Sequence, residues 1–574
     1  MVFWTIAGVI VLRAWGTGMS PDALWGPADN DDVMRLLSVR AWIGGQSWFD
    51  MTQYGVLATD GVSLHWSRFA DLGPVALIHV FGLWMPAETA ERAMALVWPT
   101  LLALSLHAIV GLGTRRVLGV GAALVAMGAL ATWPMVSSGY FAPGRLDHHN
   151  LQIVLMGLAG FAALWPTRPS RSGAVAGAAL ALSFAIGLEG LFFAAALASG
   201  LVLLAAFDAP QAPQRLSWFC PVFAGLTVAA HMAQTRPDAW LTEVCDTLGP
   251  GVLSLVVLGC LAGLSFHLLP APMRRPGPIL GLAALVLATG LALSWSWISP
   301  CFASPYAHLP QTLQTVIAEQ LVEALSTPGF VARFPTLAVD LLWPLWAALG
   351  LGVLGLGLTR SDRWAPGVLV GLCLVGAVLS WVQVRQVVLL AAMAPALIGY
   401  GIATLVSWRR ETGSALSGVA LIGALALVFV PSLVDDAVLA SPSKQPRGLA
   451  SQDAACARPS TLSVLNALPP QAILTPLNLG PKLVLSTHHT GLSAPYHRSA
   501  EALGNGVLPF QGDADALVAI LEQRAARLVL VCAGSVHGTD ESIGSRLAAS
   551  APPEGFVPVP LDAGPLRLYL WSGP

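Results

Sequence analysis

The sequence predicts a polytopic α-helical membrane protein of about thirteen transmembrane helices, followed by a small α/β domain outside the membrane. Two observations carry that expectation. Of 574 residues, 55% are hydrophobic and 10% charged, with a mean hydropathy of +0.69, whereas a soluble domain carries about 25% charged residues. Apolar runs of about 20 residues, each enough to cross the hydrocarbon core, recur over residues 1–432 and then stop. A net charge of −2 gives no pull toward nucleic acid.

The first run, Val2 to Trp15, has no basic start and no small-residue cleavage site, so it reads as a span that stays attached. Residues 16–91 follow with DNDDVMR, GGQSWFD and LHWSR, too polar for lipid, and form the first outer loop. Within it, Leu72 to Met85 is short and interrupted and reads as a helix at the outer interface. Further spans are expected near 93–112, 118–136, 151–165, 173–187, 190–206, 216–232, 250–270, 279–297, 338–358, 364–382, 387–406 and 415–432. Basic clusters such as Arg115 and Arg116, Arg274 and Arg275, and Arg409 and Arg410 fall at every second boundary, the positive-inside pattern. The N-terminus is then cytoplasmic, and an odd number of spans puts the C-terminus outside. Residues 16–91, 137–150, 234–250, 298–336 (the fifth outer loop) and all that follows 431 share that outer side, and every acid-rich or histidine-rich stretch lies there.

Residues 433–574 change character: ILTP, LVLS, RLVLVCA and LRLYLW read as strands and ADALVAILEQRAA as a helix. Cys456 and Cys532 fall in this domain, and Cys245 and Cys301 in two outer loops, so each pair is a candidate disulfide in an oxidising compartment. The seven cysteines include no CxxC or Cys/His cluster, so a zinc site is not expected.

Several outer constellations carry candidate chemistry. Asp29, Asp31 and Asp32 precede Arg35, which on a helix shares a face with Asp31 and Asp32; the acids suit a hard cation or a base, or a helix cap. Asp147, His148 and His149 stand at the outer end of two spans, at headgroup depth, where ionisable groups are costly unless used. Glu189 is a lone acid in an apolar hairpin, and Glu323 lies in an amphipathic stretch of the fifth outer loop. Arg385 sits between two spans at their outer ends, where a guanidinium fork suits a lipid phosphate or snorkels to the interface. His497 and Arg498 in the C-terminal domain are candidates for contacting substrate.

This layout resembles the GT-C glycosyltransferases, especially the STT3/PglB-type oligosaccharyltransferases: an acidic motif in the first outer loop, a second between spans three and four, a long fifth outer loop with a glutamate, and an outer C-terminal domain. Asp29 and Arg35 have the separation of the family's D-P-Y-F-N-Y-R pattern, while WFDMTQYGV and LHWSR look like its following region. Asp147-His148-His149 takes the place of a DxD-like motif with one carboxylate fewer. The resemblance implies a membrane glycosyltransferase that takes sugar from a polyprenyl-phosphate or polyprenyl-diphosphate donor. It implies Asp29, Asp31 or Asp32 as the catalytic carboxylate, Asp147, His149 and Glu323 as ligands of Mg²⁺ or Mn²⁺, and Arg385 with Arg35 on the donor phosphate. His148, Glu189, His65, Arg68, His497 and Arg498 would line the substrate site. The acceptor would be a glycan, a lipid or a protein; no WWDYG motif is present, which argues against asparagine-linked transfer. The corresponding location is the bacterial inner membrane, with the site and C-terminal domain on the periplasmic side. The rival readings are a transporter or lipid flippase and a noncatalytic assembly subunit.

Overall fold

A computed structural model describes residues 2–302, 306–320, 325–359, 363–434, 454–561 and 564–573. Six of the described helices are long and apolar enough to cross a bilayer: Ala87–Val117, Leu188–Ala206, Ala212–Gln234, Pro250–Leu268, Pro276–Leu293 and Leu337–Leu358. Shorter apolar helices, among them Val2–Thr17, Val120–Thr132, His149–Ala163 and Trp364–Ser380, pack beside them. The chain is a multi-pass membrane protein. Small residues let its helices approach closely: a Cβ at Gly399 would lie 2.1 Å from the Ala122 carbonyl oxygen, and one at Gly173 would lie 2.2 Å from that of Arg215.

Outside this bundle the first outer loop holds a short helix, Pro21–Trp25, and two longer ones, Asn30–Ile43 and Arg68–Gly82, the longer two joined through a two-stranded ladder of β1 (Thr52–Gln53) and β2 (Val62–Ser63). The second helix covers much of the segment expected at the interface, and Leu83 and Trp84 beyond its end are exposed. Arg68 and Asp71, one turn apart at its start, are buried together at 3.2 Å. The fifth outer loop contains helices Gln311–Gln320 and Thr327–Arg333.

The C-terminal residues form a five-stranded mixed sheet in the order β4-β3-β5-β7-β6, from β3 (Ala472–Leu474), β4 (Thr490–Gly491), β5 (Leu528–Cys532), β6 (Phe556–Pro558) and β7 (Leu566–Trp571). The central β5 is buried throughout, parallel to β3 and antiparallel to β7. LVLS, read as a strand, lies instead in the helix Gly480–Ser486. Pro481 opens that helix at a position where its missing N–H costs nothing, and Leu479 and Leu483, four apart, bury together under the sheet. Local β-propensity lost to helical spacing.

Both cysteine pairs are disulfides, Cys245–Cys301 and Cys456–Cys532. Cys456 lies in a short helical stretch, residues 454–456, and Cys532 ends the central strand. Replacing both by serine is expected to cost the domain about 2–5 kcal/mol, read as a lower unfolding midpoint and faster proteolysis after residue 454. A variant as resistant as the parent would remove the structural role.

The sheet does not stand apart. Met34, Val56, Leu57, Val62, Leu64 and Trp66 of the first outer loop share one apolar core with Leu474, Leu492, Val529 and Tyr569 of the domain. A parallel bridge joins the backbones, with Leu57 N donating to Gly491 O and Gly491 N to Gly55 O, each at 2.9 Å. Lys482 is buried and donates to the carbonyls of Trp25 and Ala28, between the helices Pro21–Trp25 and Asn30–Ile43.

Desolvation of the ammonium lowers the Lys482 pKa to about 8. The unfolded chain then binds more protons than the folded one between about pH 8 and the ordinary lysine value, so the Lys482 contribution to stability rises with pH across that window. The thermal midpoint of the parent protein should gain on that of Lys482→Met as pH is raised through it; a constant difference would show that the group does not titrate there.

Candidate functional site

The helix Asn30–Ile43 begins with a capping box. Asp29 Oδ1 accepts from Asp32 N at 2.9 Å, and Asp32 Oδ2 accepts from Asp29 N at 3.0 Å. Asp32 does more than cap, since it is fully buried and its Oδ1 accepts the backbone N–H groups of Leu146 (2.7 Å) and Asp147 (2.8 Å). Arg145 completes the clamp, 3.0 Å from Asp32 and 2.5 Å from Asp29. The two acidic segments, far apart in sequence, are thus tied by the carboxylate of Asp32.

The partner cation of Asp32 is Arg145 rather than Arg35. Arg35, one helical turn on, points elsewhere: its Nη1 donates to Asp71 at 3.0 Å, its Nη2 to His148 Nδ1 at 3.1 Å, and its guanidinium lies 4.2 Å over the Trp66 ring. Asp71 also accepts from Arg68, which donates further to Ser38, Gln46 and the Asp50 carbonyl. Arg35, Arg68 and Asp71 form a fully buried network that braces the two outer-loop helices. Neither fork is open to a lipid phosphate.

The loop before His149–Ala163 is held tightly. Gly144 has φ +87°, a region that favours glycine, and a Cβ there would meet the Leu24 carbonyl oxygen at 2.3 Å. Gly144→Ala is expected to destabilise this loop by about 1–3 kcal/mol from backbone strain alone; an unchanged unfolding midpoint would refute it.

At the end of that loop Asp147, His148 and His149 are all buried, with potential ligand atoms within 4.8 Å of one another. His149 Nδ1–H donates to Asp147 Oδ2 at 2.5 Å, which in the neutral ring leaves the lone pair on Nε2. Because Arg35 can only donate, His148 Nδ1 is an acceptor and its Nε2–H faces Glu189 Oε1 at 3.4 Å. His148 Nδ1 then stands 2.8 Å from Asp147 Oδ1, which has no hydrogen-bond partner. Two acceptors at that distance repel unless a cation or proton comes between them. Burial opposes the charge of Asp147, but His149 and His148 outweigh it and hold its pKa well below the usual carboxylate range. With its Nδ1 lone pair taken by Arg35 and its Nε2–H facing Glu189, His148 has no lone pair for a metal, so the donors that fit a divalent cation here are Asp147 Oδ1 and His149 Nε2.

Glu189, in a turn at Leu188–Gly190, also accepts from Gln152 Nε2 at 2.8 Å. The segment Val384–Leu390 packs on this turn, and Arg385 interacts electrostatically with Glu189. Glu323 lies outside the described residues.

Asp31 differs from the buried Asp32. It is partly exposed, and its Oδ1 accepts from the hydroxyl of Tyr496 in the C-terminal domain at 2.9 Å. Tyr496 also donates to Asn30 O at 3.1 Å and packs edge-on against Trp66 at 5.6 Å. Burial and then the Asp31 charge push its pKa well above the ordinary tyrosine value, so it remains a donor. Sequence reading did not select Tyr496 or Asp71. The signal for Asp71 was its i, i+3 spacing from Arg68; Tyr496 offered none beyond standing next to His497.

A cavity of about 330 Å³ opens beside this cluster, between the first outer loop, the hairpin at 184–187 and residues 234–248, walled by Trp48, Trp66, His65, Asp246 and Arg498 among others. Arg498 makes a forked contact to Asp246 at 2.6 and 2.7 Å, and His497 Nε2 lies 2.9 Å from the same carboxylate. Although desolvation opposes it, Arg498 and His497 keep the Asp246 pKa far below the ordinary value. Burial and the neighbouring His497 lower His65 to about 3, so it is neutral at physiological pH. His65, His497 and Arg498 thus gather around Asp246, apart from the Asp147 group.

No protein-family model and no curated protein matches the chain. Solved structures do. The oligosaccharyltransferase AglB of Archaeoglobus fulgidus, in complex with an inhibitory peptide and a dolichol-phosphate, superposes with a TM-score of 0.66 at 13% identity over 92% of this chain and 69% of its own. The same archaeal enzyme tethered to an acceptor peptide containing the NVT sequon gives 0.68 at 13% identity, over 100% of this chain and 74% of that one. Its complex with Zn and sulfate gives 0.61 at 13% identity, over 93% and 68%. The likeness is one of fold: the chain shares the fold of this archaeal oligosaccharyltransferase, in keeping with the resemblance read from the sequence.

Proposed function

From that shared fold, we propose that the protein is a glycosyltransferase that moves a sugar from a polyprenyl-phosphate or polyprenyl-diphosphate donor to an acceptor at the extracytoplasmic face. The observation that carries this reading is the convergence of two acidic segments into one buried cluster, through Asp32 on the N–H groups of Leu146 and Asp147, with the partly exposed Asp31 held beside it by Tyr496. Two disulfides in the outer segments, opposite the arginine clusters, support an oxidising, periplasm-like compartment and a bacterial inner-membrane location.

Asp31 orients the acceptor hydroxyl or amide and takes its proton as the acceptor attacks the anomeric carbon. The bond from that carbon to the phosphate oxygen breaks, the lipid phosphate leaves with the electron pair, and the configuration inverts. Tyr496 fixes the Asp31 carboxylate through the 2.9 Å hydrogen bond. Arg385, at the Glu189 turn, binds the departing phosphate. Asp147 and His149 would hold Mg²⁺ or Mn²⁺, with Glu323 as a further ligand, and such an ion would neutralise charge developing on the phosphate. His148, between Arg35 and Glu189, sets the orientation of the cluster. Glycan, lipid and protein remain the acceptor classes, and the bilayer is the donor's reservoir.

Transporters expect paired acids near mid-bilayer and broken helices, whereas these acids gather where the outer loops meet the bundle. The test is reconstitution of the full chain in liposomes with polyprenyl-phosphate-linked and polyprenyl-diphosphate-linked sugars, with mass spectrometry of released lipid phosphate. Asp31→Asn should lower turnover by about 10²-fold or more, as loss of a positioned base does, with the unfolding midpoint unchanged. Turnover equal to the parent, or no lipid phosphate released from any donor, would reject the assignment.

A further inference from the structure

We propose that His65, His497 and Asp246 form a second divalent-cation site, of the zinc type, which ties the first outer loop and the segment 235–249 to the C-terminal domain. It goes beyond the transferase reading and uses none of the residues placed in that mechanism. One ligand atom from each of the three side chains lies within 4.8 Å of the others. His497 Nε2 stands 2.9 Å from Asp246 Oδ2, and the His65 and His497 rings are 5.0 Å apart. A tetrahedral zinc with bonds near 2.0–2.1 Å separates its ligand atoms by about 3.3 Å, so only small side-chain movements close the site. Two imidazoles and one carboxylate make a nitrogen-rich set that favours Zn²⁺ over Mg²⁺ or Ca²⁺.

The surroundings hold these ligands as an outer shell holds a metal site. Arg498 grips Asp246 with Nε and Nη2 while its Nη1 donates to the Leu64 carbonyl at 3.0 Å, next to His65. The Cys245–Cys301 disulfide anchors the residue before Asp246. His308 Nε2 bonds the His497 carbonyl at 2.9 Å, and the Tyr306 ring lies edge-on to the His497 ring at 5.4 Å. The guanidinium offsets part of the Asp246 charge, so the affinity should fall below that of a closed four-ligand zinc site. His65 and Asp246 both line the 330 Å³ cavity, which gives water or a bound molecule access to a fourth position. The absence of any cysteine–histidine motif argued against zinc from sequence; these ligands instead come from three segments distant in the chain.

The test uses full-length protein carrying Asp147→Asn and His149→Ala, which silences the first candidate site. After chelation and zinc titration this protein should retain about one zinc per chain by elemental analysis, and its cobalt-substituted form should show the visible bands of a tetrahedral ion. Adding His65→Ala or His497→Ala should weaken binding by about 10–100-fold or more and abolish those bands. His65→Gln, checked by size-exclusion elution and unfolding midpoint, stands in if the alanine variant misfolds. Zinc binding unaffected by either histidine, or no zinc bound by the background protein, would overturn the proposal. Because the background already lacks Asp147 and His149, neither result bears on the transferase reading.

Discussion

Asp147→Asn is expected to lower sugar transfer by on the order of 10³-fold while leaving the protein folded, because it removes the charge on which both imidazoles and the cation site depend. The carboxylate faces His149 at 2.5 Å and His148 at 2.8 Å. Asparagine retains the shape and one acceptor but neither the charge nor the second oxygen. The measurement is single-turnover release of lipid phosphate, with the unfolding midpoint followed in parallel. A fall in rate of less than about tenfold would remove Asp147 from the chemistry and leave the cluster a structural element of the loop.

The second large effect is on stability. Asp32→Ala is expected to cost about 3–5 kcal/mol, the penalty for stripping the partner from a buried charge. Arg145 would lose its 3.0 Å contact, and the N–H groups of Leu146, Asp147 and Asp29 would lose their acceptor inside the protein. Activity would fall with it, yet for a different reason than in Asp31→Asn, since the segment bearing Asp147 would come adrift from the helix bearing Asp31. Thermal unfolding separates the two: a large drop in midpoint for Asp32→Ala, none for Asp31→Asn. Equal midpoints for both variants would mean that the hydrogen bonds of Asp32 contribute little and that the two aspartates have been assigned the wrong way round.

This division of labour shows where the sequence was legible. The apolar runs and the polar first loop follow from composition and hydropathy alone. Asp29 to Arg35 and Asp147 to His149 stand out because ionisable groups beside lipid are costly. The sorting of Asp29, Asp31 and Asp32 was hidden, because it depends on which of them meets the backbone of residues 146 and 147, and no local pattern encodes a contact across more than a hundred residues. Arg35 looked like the partner of its helical neighbours, and only tertiary packing turns it toward Asp71. Tyr496 was invisible for the same reason, because its partner Asp31 lies near the other end of the chain.

The docking of the last hundred residues onto the first outer loop has a consequence for how the protein is made. Tyr496 and Lys482 are translated long after Asp31, yet one hydrogen-bonds its carboxylate and the other holds the carbonyls of the segment before its helix. On the transferase reading, a nascent chain with its membrane helices already inserted would still lack a competent centre until the C-terminal sheet had folded against the first loop. On the same reading, ribosome stalling or premature termination near residue 450 would yield inert protein.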